Sequence, residues 1–237
     1  QYYLTTGRAD QAVRRAQELL ASQPDDVGLI IFATTLMVDA RRMDEAINLL
    51  EEALKTTGGD LTVKTQLADT LMLRGKDLDR AERLADEVVR EAADLVRARA
   101  ILARVQVRKG DQALAAGRNE EAARLYSKAE QMLQQLARQV PDFGETYLSL
   151  ADVSAKQGDS RKALDYLGRI AANDPVFRRA MQQRMELNAA LGRADEVRRD
   201  LIGLLTVEPR DSELRRRLAT LYVRDGRPAD AQRVLQE

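Results

Sequence analysis

Pro141, Pro175 and Pro209 are evenly spaced, and each closes a stretch that reads helix, turn, helix. Their period of about 34 residues marks stacked structural repeats, each too small to bury its own apolar face alone. The neighbours of the prolines repeat with them. Gly158 and Gly192 stand midway between successive prolines, and Gly226 follows the last. A small or branched residue comes five positions after each glycine, at Ala163, Val197 and Ala231. Apolar residues recur at three- and four-residue intervals throughout, which predicts helices and no strand.

The clearest unit runs from Gly144 to Pro175 and carries Tyr147, Leu150-Ala151, Gly158, Ala163 and Leu167 between them. Ala151 and Ala163 fall where the two helices of a hairpin cross, and small side chains there let the backbones approach. Gly158 is placed to end the first helix in a left-handed conformation that a Cβ resists. Pro175 follows the second helix, because proline cannot continue a helix interior. This pattern resembles the tetratricopeptide repeat, and the resemblance covers essentially the whole chain. It implies an all-α fold, a right-handed α-solenoid of stacked antiparallel helix hairpins.

The register reads 1–237 as a single solenoid: a partial unit over 1–24, units over 25–58, 59–93, 94–141, 142–175 and 176–209, and a partial unit over 210–237. The first partial unit carries Tyr3, Gly7, Ala12, Leu19 and Pro24. In the next, Arg41 takes the place of the inter-helix glycine, so that turn needs another solution. The step from Gly75 to Ala81 is one residue longer than from Gly158 to Ala163, which predicts a one-residue loop insertion. The stretch from Ala93 to Pro141 exceeds the period by roughly four helical turns of chain. No Gly/Pro/Ser cluster marks an inserted loop there, so both helices of that hairpin are expected to be longer by two turns. Both ends of the chain cut into expected helices, so it reads as a piece of a longer protein. No signal peptide, membrane span or lipidation motif is visible, leaving bacterial cytoplasm and periplasm both open.

The chain has no His and no Cys. The commonest general base, the commonest zinc ligands and every thiol nucleophile are therefore missing. Gly58-Gly59-Asp60 lacks the Lys-Ser or Lys-Thr that would complete a phosphate loop. The carboxylates read as solvated helix faces with partners one turn away, as in Glu51, Glu52 and Lys55. Asp174-Pro175 reads as turn chemistry. The expectation is a protein that is not an enzyme and uses no cofactor or metal. Basic and acidic residues balance at 38 each, and a nucleic-acid partner would need a basic footprint. The charge is unevenly spread: 25–93 hold 9 basic and 15 acidic residues, a net −6, whereas 176–237 hold 13 and 10, a net +3.

The resemblance implies that the first helices of successive hairpins line a concave groove holding a peptide or a partner's helix. Carried over by register, the groove residues are Ile31, Thr35 and Val38, then Thr65, Asp69 and Met72, then Val107, Asp111 and Leu114. They continue as Leu148, Asp152 and Ala155, as Gln182, Glu186 and Ala189, and as Arg216, Thr220 and Val223. Asp69, Asp111, Asp152 and Glu186 hold one equivalent position, an acidic ladder suited to a basic ligand or simply a wet helix face. Ile31, Val38, Met72, Val107, Leu114 and Leu148 form an apolar set, read either as partner surface or as contact between neighbouring helices. Arg215-Arg216-Arg217 is the sharpest basic cluster, a solvated run or an acid-binding patch. The resemblance also argues against a chaperone-type carboxylate clamp, because Asp69 and Asp111 stand where such a clamp needs Asn.

The expected function is a non-catalytic scaffold or adaptor for a protein or peptide ligand, a basic one suiting the ladder, with no nucleic acid and no membrane insertion. The alternatives are a self-assembling scaffold, the acidic first half and basic last portion suiting head-to-tail contact, or a recruiting arm of an enzyme. A third is part of a cell-envelope machine of the polysaccharide-export type.

Overall fold

The computed structural model describes residues 9–236, and among these there are thirteen α-helices and no strand. Tyr3 and Gly7 of the expected first unit lie outside the described residues. After α1 (Ala9–Ser22) come six hairpins. They are α2 (Val27–Asp39) with α3 (Met43–Thr56), α4 (Leu61–Arg74) with α5 (Leu78–Glu91), and α6 (Val96–Ala115) with α7 (Asn119–Gln139). Next are α8 (Gly144–Lys156) with α9 (Ser160–Leu167), α10 (Phe177–Ala190) with α11 (Ala194–Val207), and α12 (Ser212–Arg224) with α13 (Pro228–Gln236). The chain forms two compact units, one ending at Met132 and one beginning at Leu133. None of the described helices is long and apolar enough to cross a membrane.

The helices start and stop where local chemistry directs them. Asp26, Asp60 and Asp211 sit at the N-caps of α2, α4 and α12 and accept hydrogen bonds from Leu29 N at 2.9 Å, Val63 N at 3.0 Å and Leu214 N at 3.1 Å. Each satisfies backbone donors that a helix start leaves without partners. At the turns inside the hairpins, Gly117, Gly158, Gly192 and Gly226 take φ values of 73°, 83°, 70° and 71°. The turn without a glycine is made by Arg41 itself, at φ 62°, a left-handed conformation costing a non-glycine residue roughly 1–2 kcal/mol. The loop insertion expected after Gly75 is not there: the turn between α4 and α5 has three residues, as in the other hairpins, and Gly75 takes its first position instead of its second. Gly75 and Asp77 are both left-handed in it, at φ 73° and 56°.

The long hairpin has the expected proportions, 20 residues in α6 and 21 in α7 against 13 or 14 in α2 to α5. Its crossing point uses Gly110 where Ala68 serves in α4. A Cβ on Gly110 would lie 2.6 Å from the Tyr126 ring, so helix α7 passes close only because that side chain is missing.

In the first unit the core centres on α4, whose Leu67, Ala68, Leu71 and Met72 pack with Ile30, Leu50, Leu78, Ile101 and Val105. A smaller cluster joins Val13 and Ala16 of α1 to Ala33, Met37 and Ala46. In the second unit Leu150, Ala151, Val153, Ala163 and Leu167 are fully buried between α8 and α9. Helix α9 is short, 8 residues. Beyond it the Arg169 guanidinium lies 5.8 Å from the Tyr147 ring and 5.6 Å from that of Tyr166, a cation–π contact with both. Between α10 and α11 a carboxylate is buried: Asp200 is 2% exposed and accepts from Arg184 Nε at 2.9 Å and Asn188 Nδ2 at 3.3 Å.

Candidate partner-binding surface

Helices α2, α4 and α6 are the first helices of their hairpins, and α2 packs on α4 and α4 on α6. That contact decides which register positions reach solvent. The first position of each set is largely taken into the packing. Thr65, Val107 and Leu148 are buried, Ile31 and Gln182 are half-buried, and Arg216 is exposed. At the third position Val38 and Ala155 are half-buried, Ala189 is exposed and Met72 is buried at 1%. Leu114 and Val223 hold this same position and stand 50% and 61% exposed. Thr65, Met72, Val107 and Leu148 are therefore core residues and not the groove surface expected of them. For Met72 the covering side chains are Ile101 and Val105 of the next hairpin, which share its core cluster.

The acidic position has a different outcome. Both carboxylate oxygens of Asp69 face arginines of α6: Arg97 Nη2 donates to Oδ2 at 3.1 Å and Arg104 Nη1 to Oδ1 at 3.4 Å. Arg97 also donates to Gln66 at 2.8 Å. Its position in the added first turns of α6 is why the long helix matters here. Asp111 accepts from Tyr126 Oη at 2.8 Å and lies 4.0 Å from Arg108. Asp152 stands 3.9 Å from Lys156. Glu186 and Thr35 are exposed. The carboxylates of Asp69, Asp111 and Asp152 thus already face donors of this chain. No composition signal flags Arg97 and Arg104; only their seven-residue spacing, two helical turns, puts them on one stripe.

Phe32 is not in the register set and is 51% exposed. Three apolar residues in a row, Ile30-Ile31-Phe32, cannot all face one core from one helix, and that pattern is its available signal.

A denser charge cluster joins α5, α6 and α7. Lys109 donates to Asp79 at 2.5 Å and also to Glu82, which accepts from Gln106 at 2.7 Å and lies 3.8 Å from Lys128. The hydrogen bond from Lys109 holds the Asp79 carboxyl below its usual range. Burial works against the charged form of Glu82, but Lys109 and Gln106 outweigh it and its pKa is lowered too. Burial likewise opposes the charge on Lys109, and its two carboxylates raise its pKa in spite of that. The depressed carboxylates contribute stability above their unfolded values near pH 4, and it is lost as pH falls through the folded ones. The lysine contribution is complete below about pH 10.4 and is lost only as pH rises beyond. Urea midpoints at pH 7 and pH 3 should therefore fall more in the wild type than in Lys109→Met. An equal fall in the two proteins would show that the cluster adds nothing.

Three comparisons place the chain among known proteins. The tetratricopeptide repeat profile matches residues 37–105, and that of the bacterial transcriptional activator domain matches residues 93–237. A thermophilic tetratricopeptide-repeat protein from Thermus thermophilus shares the fold over 91% of this chain and 99% of its own, at 22% identity and a TM-score of 0.64. The human IFIT1 dimer with m7Gppp-AAAA does so over 97% of this chain and 62% of its own, at 16% identity and a TM-score of 0.64. The mouse (Mus musculus) FK506-binding protein-like is 28% identical over 131 residues, 55% of this chain, and the match spans only 38% of that relative's length.

Proposed function

This chain belongs to the tetratricopeptide repeat superfamily and, over residues 93–237, to the family of the bacterial transcriptional activator domain, and we propose that it is a non-catalytic scaffold that binds a protein segment on the exposed faces of its first helices. The observation that carries the reading is the pair Leu114 and Val223, register equivalents at 50% and 61% exposure. Large apolar side chains repeated at one outward position suit a partner surface better than solvent. Rigid helices present such a surface preformed, so binding needs little ordering on this side. The absence of His and Cys from the sequence removes the usual groups for acid–base, thiol and zinc chemistry. The family description suggests a regulatory setting, with the scaffold receiving a segment of a transcription-regulating protein.

The test is affinity capture from a lysate of the source organism with wild type, Leu114→Asp and Thr35→Arg. Both side chains are exposed, so circular dichroism should be unchanged, with stability within about 0.5 kcal/mol. A protein held by the wild type and lost by the folded Leu114→Asp variant is the expected result. Equal capture by all three would remove these helix faces from the binding site.

A further inference from the structure

Resting on the reading of a protein-binding scaffold, we infer that the crevice between α11 and α12 takes an acidic amphipathic helix of a partner protein. The crevice has a volume of about 530 Å³. Its floor is apolar, made by Val197 and Leu201 of α11 with Leu221 of α12, and Glu213, Arg216, Arg217 and Thr220 stand along one side, the Glu213 carboxylate being paired with Arg216. The volume is in the range of pockets that hold large side chains, and a crevice between two helices suits a third helix laid along it.

The charge of the occupant follows from which groups in this region are already paired. From Ala194 to Gln236 every aspartate and glutamate has an arginine. Asp195 and Asp225 hold Arg198, Glu196 holds Arg199, and Asp200 holds Arg184. Glu208 and Asp211 hold Arg178, Glu213 holds Arg216, and Asp230 holds Arg227 and Arg233. In this stretch Arg210, Arg215, Arg217 and Arg224 show no ion pair with a carboxylate among the described residues. Arg215 donates to the Pro209 carbonyl oxygen. Arg217 and Arg224, the two on the crevice-side stripe of α12, are both exposed. They are seven residues apart on α12, hence on one stripe and about 10 Å apart along the axis. The spare charge beside the crevice is therefore positive. A partner helix with glutamates two turns apart reaches both guanidiniums, and its leucines between them cover Leu221 and the α11 floor. Exposed ion pairs alone hold little, so the apolar stripe and the acids are both required.

Fluorescence anisotropy with labelled synthetic peptides tests this. The probe is a helical peptide with leucines on one stripe and glutamates flanking it. A matched peptide has lysine for glutamate, and a third is the acidic composition in scrambled order. The full chain is compared with Arg217→Glu/Arg224→Glu, both exposed positions whose folding circular dichroism checks. The glutamate peptide should bind the wild type and weaken about tenfold or more on the reversal, while the lysine peptide should prefer the reversed variant. Four results overturn the inference: no binding of the glutamate peptide, binding unchanged by the reversal, equal binding of the lysine peptide, or equal binding of the scrambled one. Leu114→Asp lies in the other unit, so partner capture lost there with no peptide binding here rejects this crevice and leaves the scaffold reading standing. Peptide binding here with capture unaffected by Leu114→Asp and Thr35→Arg supports the crevice and removes the Leu114 and Thr35 helix faces from the binding site.

Discussion

Asp200→Ala is expected to cost about 3–5 kcal/mol, because removing one partner of a buried ion pair leaves the other charge uncompensated. Asp200 is 2% exposed, and its oxygens are held by Arg184 and Asn188 across the α10–α11 hairpin. Without the carboxylate, Arg184 must either stay half-buried without a counterion or swing out and leave a gap beside Leu201 and Leu204. The loss is read as a lowered urea midpoint by circular dichroism, together with faster hydrogen exchange in α10 and α11. Arg184→Met/Asp200→Leu is the companion variant. Apolar replacement of a whole buried pair is often neutral or stabilising, so it should recover most of the loss. A cost below about 1 kcal/mol for Asp200→Ala would show that the pair behaves as a solvated surface bridge.

Met72→Ala separates the two readings of the register set. A groove residue on an open helix face should cost no more than about 0.5 kcal/mol when truncated. Met72 is 1% exposed and packs in the core cluster with Leu67, Leu71, Ile101 and Val105. Its loss should therefore cost about 2–5 kcal/mol, as the lost transfer energy plus the cavity left behind. Denaturant unfolding of Met72→Ala beside Leu114→Ala decides it, since the two positions are equivalent in register and differ in burial. Near-equal small effects would return Met72 to the surface.

How far the sequence could be read is clearest residue by residue. The prolines, the inter-helix glycines and the three- and four-residue apolar spacing led to the helix hairpins. The surplus of chain before Pro141 led to two lengthened helices, whereas the shifted glycine at Gly75 suggested a longer turn that the helix boundaries do not show. All of these are local: a φ angle, a missing donor or a count of residues per turn decides them. Arg41 marks the edge of that reading, since the sequence posed the problem of a turn without glycine and the backbone answered it with a left-handed arginine.

The functional surface was less legible because it depends on what packs beside each helix. Periodicity placed Thr65, Met72, Val107 and Leu148 on one face with Leu114 and Val223, but it is silent on which of them are buried. The acidic ladder was drawn from a repeating position, yet Asp69 meets Arg97 and Arg104 from α6, the first helix of the next hairpin, and Asp200 reads in sequence as one more charged residue on a polar run. Fold class and the lengthening of one hairpin were thus legible in the sequence alone, through rules that act within one or two turns. Which charges are spent and which apolar side chains remain in water was decided only by tertiary structure, because burial and ion pairing are properties of two surfaces and each stretch of sequence describes one.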